Sequence, residues 1–171
     1  RFNLNLFCYD EKADSPNVFA TEMFSITPQD DIRTAQYKNM ICSKNLIKKL
    51  LAAYKEGNIS VRTDSKDFDS WHNKRTAADG KIDFHGRTRE IYNLIRGVAA
   101  PFPGAFAYVG EEKVTVWEAQ PFDEMIDFSA YAPGEVIDVF DGHPIVRTVD
   151  GSLLIKKYES AKELQAGDVL A

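Results

Sequence analysis

Beyond Gly104 the chain changes its period. Residues 105–109, 113–118, 134–140, 144–148 and 152–157 are five short strand-like runs. The turn pairs Gly110-Glu111, Ala132-Pro133, Asp141-Gly142 and Asp150-Gly151 separate them. Strands put successive side chains on opposite faces, and Gly, Pro and Asp supply the tight reversals between them. Five or six such strands packed into about 65 residues present edges that must be hidden, and closure into a small barrel hides them.

The first hundred residues read differently. Residues 1–9 alternate, with Phe2, Leu4, Leu6 and Cys8 on one side and Asn3, Asn5 and Phe7 on the other, which predicts a strand with one mostly polar face. The composition of residues 10–17 predicts a turn-rich loop, and 18–26 predict a second strand. Thr27-Pro28-Gln29-Asp30 has the form of a helix start, with Thr27 as cap and Pro28 at the first helical position. Apolar residues at 32, 35, 40, 46, 47, 50, 51 and 54 then predict an amphipathic helix to about Lys55, ended by Gly57-Asn58. Residues 58–80 are polar and predict a surface linker. A second helix is predicted over 88–98, stopped by Pro101, Pro103 and Gly104. The residues alone therefore give an α/β part followed by a small barrel.

Composition narrows the function classes. The 171 residues are 44% hydrophobic and 27% charged, which excludes disorder and a disulfide scaffold. The longest apolar runs are too short to span a membrane. Residues 86–171 hold 8 basic and 14 acidic residues, a net −6, whereas residues 1–85 hold 13 basic and 12 acidic. A nucleic-acid surface needs the opposite sign. The cluster Lys44, Lys48, Lys49 and Lys55 reads as the solvated face of the first helix. Cys8 and Cys42 match no metal spacing and read as buried thiols of a reducing, cytoplasmic compartment. His72, His85 and His143 are scattered, so no metal site is expected. Phe106 and Trp117 are expected in the barrel core. The first residue is Arg1, which suggests a processed chain or a piece of a longer one.

Several words occur in a fixed order. Residues 75–84 read R-T-A-A-D-G-K-I-D-F, and residues 91–106 read I-Y-N-L-I-R-G-V-A-A-P-F-P-G-A-F. They are followed by K-V-T-V-W at 113–117, A-P-G-E-V-I at 132–137 and D-G-S-L-L at 150–154. Together they resemble the words R-T-P-E-D-G-x-I-D-W, I-x-x-L-I-R-A-x-x-P-W-P-G-A-F, K-x-x-V-W, P-G-x-[IV]-I and D-G-x-L of the folate-dependent formyltransferase family. That family includes methionyl-tRNA formyltransferase and the UDP-4-amino-4-deoxy-L-arabinose formyltransferase. The wording of residues 94–117 is closer to the sugar-nucleotide enzyme.

The resemblance implies that residues 1–57 are the β-hairpin and helix that end a Rossmann-like catalytic domain. It implies that 58–81 are a linker and that 82–171 are an OB-like barrel domain. It implies 10-formyltetrahydrofolate as formyl donor, held mainly by a segment upstream of Arg1, and a nucleotide-linked amino sugar as acceptor, with methionyl-tRNA disfavoured by the acidic barrel. By the family pattern Asp14 stands at the catalytic aspartate; read from the residues alone it is either that carboxylate or a turn residue before Pro16. Pro16 replaces the family glycine, and Phe7 or Cys8 occupies the place of the family histidine. Arg75 either ties linker to barrel or meets a substrate phosphate. Asn93 and Arg96, three apart on one helix, either cap the following Pro-Phe-Pro-Gly turn or bind substrate. Asp83 is expected to cap the second helix or to pair with Arg87. A homo-oligomer fits the family. Two alternatives of other classes are a non-catalytic binding or regulatory protein and a free OB-like module that binds oligonucleotides.

Overall fold

A computed structural model of the chain describes residues 1–9, 17–63 and 73–171. They fall into two units, Arg1–Asn73 and Lys74–Ala171.

In the first unit β1 (Phe2–Phe7) pairs antiparallel with β2 (Asn17–Phe24), as the alternation predicts, with a bulge at Leu6/Phe7. The helix α1 spans Ile32–Lys55 and starts later than expected. The carboxylate of Asp30 accepts the Thr27 N–H at 2.7 Å and the Thr27 hydroxyl at 3.0 Å, so residues 27–30 close a turn of their own. Asp31 then caps the helix through the Thr34 N–H at 2.8 Å, and the Thr34 hydroxyl returns to the Asp31 backbone. Lys38 reaches Asp30 at 2.5 Å and the Ser25 carbonyl at 3.0 Å. That ammonium group, with the Thr27 N–H, holds the Asp30 carboxyl well below the usual carboxylate range. The helix lays Cys42 and Leu46 against the sheet.

The stretch expected as a linker carries structure. Within it β3 (Arg62–Thr63) adds a third strand to β2, and Arg62 donates to the Thr21 hydroxyl at 2.7 Å. Residues Ala77–Gly80 form one 3-10 turn, capped where Asp79 accepts the Thr76 N–H at 2.6 Å. Cys42 is buried, but Cys8 is exposed just past the β1 bulge, contrary to expectation.

In the second unit α2 (Thr88–Val98) lies over one face of a five-stranded antiparallel sheet. Its strands are β4 (Ala105–Val109), β5 (Glu112–Asp123), β6 (Val136–Phe140), β7 (His143–Arg147) and β8 (Ser152–Glu159). Their order is β4-β5-β8-β7-β6. Ala105, Ala107, Val114, Val116, Val136, Val146, Leu153 and Ile155 form the inner layer, with Ile82, Ile91, Ile95 and Leu170 in the same cluster. Phe106 and Trp117 are not in it. They alternate with the buried alanines and valines, so the pleat turns them outward and leaves them half-buried. Lys113 sits 4.5 Å above the Phe106 ring.

The five strands do not close on one another, because β4 and β6 end the order without pairing. The C-terminal tail serves both edges instead. Tyr108 and Ala171 exchange two backbone bonds of 2.8 Å on β4. On the other side the Leu170 N–H reaches the Gly134 carbonyl at 2.8 Å, and Val136 bonds Asp168 at 2.8 Å and Gly167 at 2.9 Å. Edge groups that would otherwise recruit another chain are thereby satisfied.

Candidate functional site

The residues singled out in the sequence scatter. Asp14 and Pro16 lie outside the described residues. Arg75 is exposed before the 3-10 turn. Its charge adds to the Thr76 donors that hold the Asp79 carboxyl below the usual range.

Asn93 and Arg96 do come together. Spaced three apart on α2, they share a helix face, and Arg96 Nε donates to Asn93 Oδ1 at 2.8 Å. The Arg96 guanidinium also lies 5.3 Å from the Tyr92 ring centroid, and Arg89 lies 5.4 Å from the same centroid. Spacings of three, four and seven residues therefore set two cations against one aromatic ring beside an amide. Sequence reasoning missed Arg89 and Tyr92, although the i, i+3, i+7 pattern could have found them. The turn after α2 is held by its own backbone. The Val98 carbonyl accepts the Gly104 N–H at 2.9 Å, and the Ala99 carbonyl accepts the Phe102 N–H at 3.0 Å.

The cap of α2 also departs from expectation. Asp83 accepts the His85 N–H at 2.9 Å and sits 3.2 Å from the His85 ring, a local turn. The helix is capped by Asp150, from the turn between β7 and β8. One Asp150 oxygen accepts both the Thr88 N–H and the Thr88 hydroxyl at 2.8 Å. Thr88 and Thr148, both fully buried, lie 2.6 Å apart through their hydroxyls. A partner 62 residues away along the chain gives no local signal.

The Thr88 N–H, with the Thr88 hydroxyl, holds the Asp150 carboxyl below the usual range. Its stabilising contribution is therefore complete above the unfolded value near ~4 and is lost as pH falls through the lower folded value. Asp150→Ala is expected to cost about 1 kcal/mol at neutral pH, with Asp150→Asn costing less. Urea denaturation checks this, and the gap between wild type and Asp150→Ala should narrow in acid.

A groove of about 500 Å³ lies beside Glu112, Lys162, Glu163, Gln165 and Asp168. Two of its carboxylates are committed to backbone, Glu112 to the Ala161 N–H at 2.9 Å and Asp168 to the Gln165 N–H at 2.8 Å. The lining offers no buried aromatic wall, and it does not fit a folate pteridine. Among the described residues no three His, Cys, Asp or Glu side chains are grouped so as to hold a metal ion. Among them, no helix is long and apolar enough to cross a membrane.

Three solved structures align over nearly the whole chain. HypX from Aquifex aeolicus with tetrahydrofolic acid matches 92% of this chain at 20% identity and a TM-score of 0.69. An N-formyltransferase from Helicobacter canadensis, in complex with folinic acid and dTDP-3-aminofucose, matches 90% at 17% identity and 0.68. WlaRD, a sugar 3N-formyltransferase studied with dTDP and 5-N-formyl-THF, matches 95% at 17% identity and 0.68. At these identities the likeness is one of fold. The chain spans 27%, 54% and 56% of the three. The sequence profile described as "Formyl transferase, C-terminal domain" covers residues 74–171, so the chain belongs to the formyl transferase family and carries its C-terminal domain in the second unit.

Proposed function

We propose that these residues are part of an N-formyltransferase that moves a formyl group from 10-formyltetrahydrofolate to the amino group of a nucleotide-linked sugar. The observation that carries the reading is the continuity of the match. It extends past the matched C-terminal domain into the first unit, on HypX and on the sugar N-formyltransferases alike, and the wording of residues 94–117 is what favours a sugar acceptor. The acidic balance of residues 86–171 favours a nucleotide sugar over methionyl-tRNA as acceptor.

In this reading residues 1–57 close a Rossmann-like catalytic domain, 58–81 link it onward, and 82–171 are an OB-like module whose sheet edges are bridged by the tail. Among the described residues no strand pairs with the edge of β1 away from β2, and β1 carries no charged side chain, which suits a strand meant to join a larger sheet. A cytoplasmic setting goes with the free thiols of Cys8 and Cys42.

Formyl transfer requires an amine to attack the formyl carbon, a base to take the proton released, and donors for the oxyanion that forms. Asp14 is assigned the proton-accepting role. Arg75, Asn93 and Arg96 are assigned to the acceptor. Arg96 would bring a planar cation suited to phosphate oxygens, held in place by Asn93 and Tyr92. The folate is assigned to residues beyond those described.

The test incubates the full-length gene product with 10-formyltetrahydrofolate and dTDP- or UDP-linked amino sugars, and separately with methionyl-tRNA. Mass spectrometry follows the formylated product. A formylated amino sugar is expected, with Asp14→Asn lowering kcat about a thousandfold. The 171 residues alone are expected to give no product. Formylation of methionyl-tRNA alone would overturn the acceptor, and no formylation of either would place the protein among non-catalytic binders.

A further inference from the structure

Residues 86–171 carry a net −6, yet α2 is basic. It holds Arg89 and Arg96, with Arg87 at its start, against one acid, Glu90. The Glu90 carboxylate accepts the Arg87 N–H at 3.4 Å and so belongs to the helix cap. A basic face set into an acidic domain concentrates anions at that face, while the domain around it repels them.

Arg89 is the second cation of this face. Seven residues separate it from Arg96, about 10 Å of helix at 1.5 Å per residue. Their guanidiniums nevertheless lie 5.4 and 5.3 Å from the centroid of one ring, that of half-buried Tyr92. Helical side chains lean toward the N-terminus. That lean carries the Tyr92 ring back over the turn of Arg89, and the Arg96 chain back over the turn of Tyr92. Asn93 fixes Arg96 further, accepting from its Nε at 2.8 Å. Two like charges drawn to one ring repel each other, and the ring offsets part of that repulsion. An anion with two charged groups in series turns the repulsion into attraction. One phosphoryl group fills one guanidinium fork, so two forks around one ring fit two phosphoryl groups joined in a row.

We propose that Arg89 and Arg96 together hold a nucleoside diphosphate, one guanidinium to each phosphoryl group, with Tyr92 as the positioning residue that sets their spacing. This rests on a nucleotide-linked sugar being the acceptor, and it narrows the acceptor to a sugar linked through a diphosphate. Arg89 is then the specificity-determining residue, because Arg96 alone still serves one phosphoryl group.

Calorimetric titration of the full-length gene product with dTDP, UDP, dTMP and UMP tests this, alongside formylation of the matching amino sugars. Wild type is expected to bind one of the diphosphates at least about tenfold more tightly than its monophosphate. Arg89→Gln is expected to weaken the diphosphate about tenfold and the monophosphate by less than about threefold, which erases the preference. Arg89→Lys keeps the charge without the fork and should fall between the two. Tyr92→Leu should also erase the preference, and a ratio of two affinities is not moved by a loss of folded protein. Lys156→Gln makes the same charge change at an exposed position of β8 and should leave both affinities within about twofold, which separates a local contact from net charge. Wild type that formylates an amino sugar without preferring the diphosphate, or Arg89→Gln that weakens both nucleotides alike or neither, overturns the proposal and leaves the acceptor reading standing. Wild type that binds neither diphosphate and formylates no amino sugar removes the acceptor reading and the proposal with it.

Discussion

Replacing Gly134 by alanine is expected to destabilise the C-terminal unit by about 3 kcal/mol. Two costs combine. Gly134 has φ +86°, a left-handed conformation in which a Cβ costs about 1–2 kcal/mol. A Cβ there would also lie 2.2 Å from the Leu170 carbonyl oxygen, a backbone atom of the tail that bridges the β6 edge. Overpacking of this kind costs about 1–3 kcal/mol more. The tail cannot retreat cheaply. The Leu170 side chain is buried in the core, and its N–H bonds the Gly134 carbonyl at 2.8 Å. Thermal or urea denaturation measures the loss, and hydrogen exchange should show earlier opening of the Leu170 and Ala171 amides. Gly142→Ala is the control. Gly142 has φ +78° with nothing within 4 Å of an added Cβ, so it should cost only the conformational share. Equal losses at the two sites would remove the tail contact from the account.

Local chemistry was legible in the sequence. The alternating strands, the Asp141-Gly142 turn and the extent of α2 follow from side-chain period and backbone permission within a few residues. What was not legible depends on partners far along the chain. The cap of α2 is Asp150, reached only when β7 and β8 are in place. The start of α1 moved because Asp30 was drawn into a turn with Thr27 and an ion pair with Lys38. Periodicity marks Phe106 and Trp117 as apolar positions of strands but not as outward-facing ones, since Ala105, Ala107, Val114 and Val116 are equally apolar on the inner face. Strand count suggested closure, but which strands end the order is a matter of register and tail placement that no local signal carries. Of the candidate site, the spacing of Asn93 and Arg96 was readable, and their ring partner Tyr92 was not singled out. The words of residues 75–157 carried the family, because several short motifs in fixed order constrain more than any one of them.

Truncating Ile95 to alanine is expected to cost about 3 kcal/mol, a value typical of a large aliphatic residue lost from a packed core. Ile95 is 2% exposed on the inner face of α2. It belongs to one cluster with Ile91, Ala105, Ala107, Val114 and Val116. Two of those neighbours are alanines, so little bulk near the site can shift to fill the void, and the surrounding strands are fixed by ladders on β5. Ile95→Val should cost about 0.5–1.5 kcal/mol, as the removal of one methyl group does. Asn93→Ala, two residues away on the exposed side of the same helix, should change stability by less than about 0.5 kcal/mol. The three variants thus separate the two faces of α2. If Asn93→Ala lowers turnover with an amino-sugar substrate while leaving the denaturation midpoint unchanged, the outer face serves the substrate. If it lowers the midpoint as Ile95→Ala does, the Asn93 to Arg96 bond is structural and the assignment of those two residues to the acceptor falls.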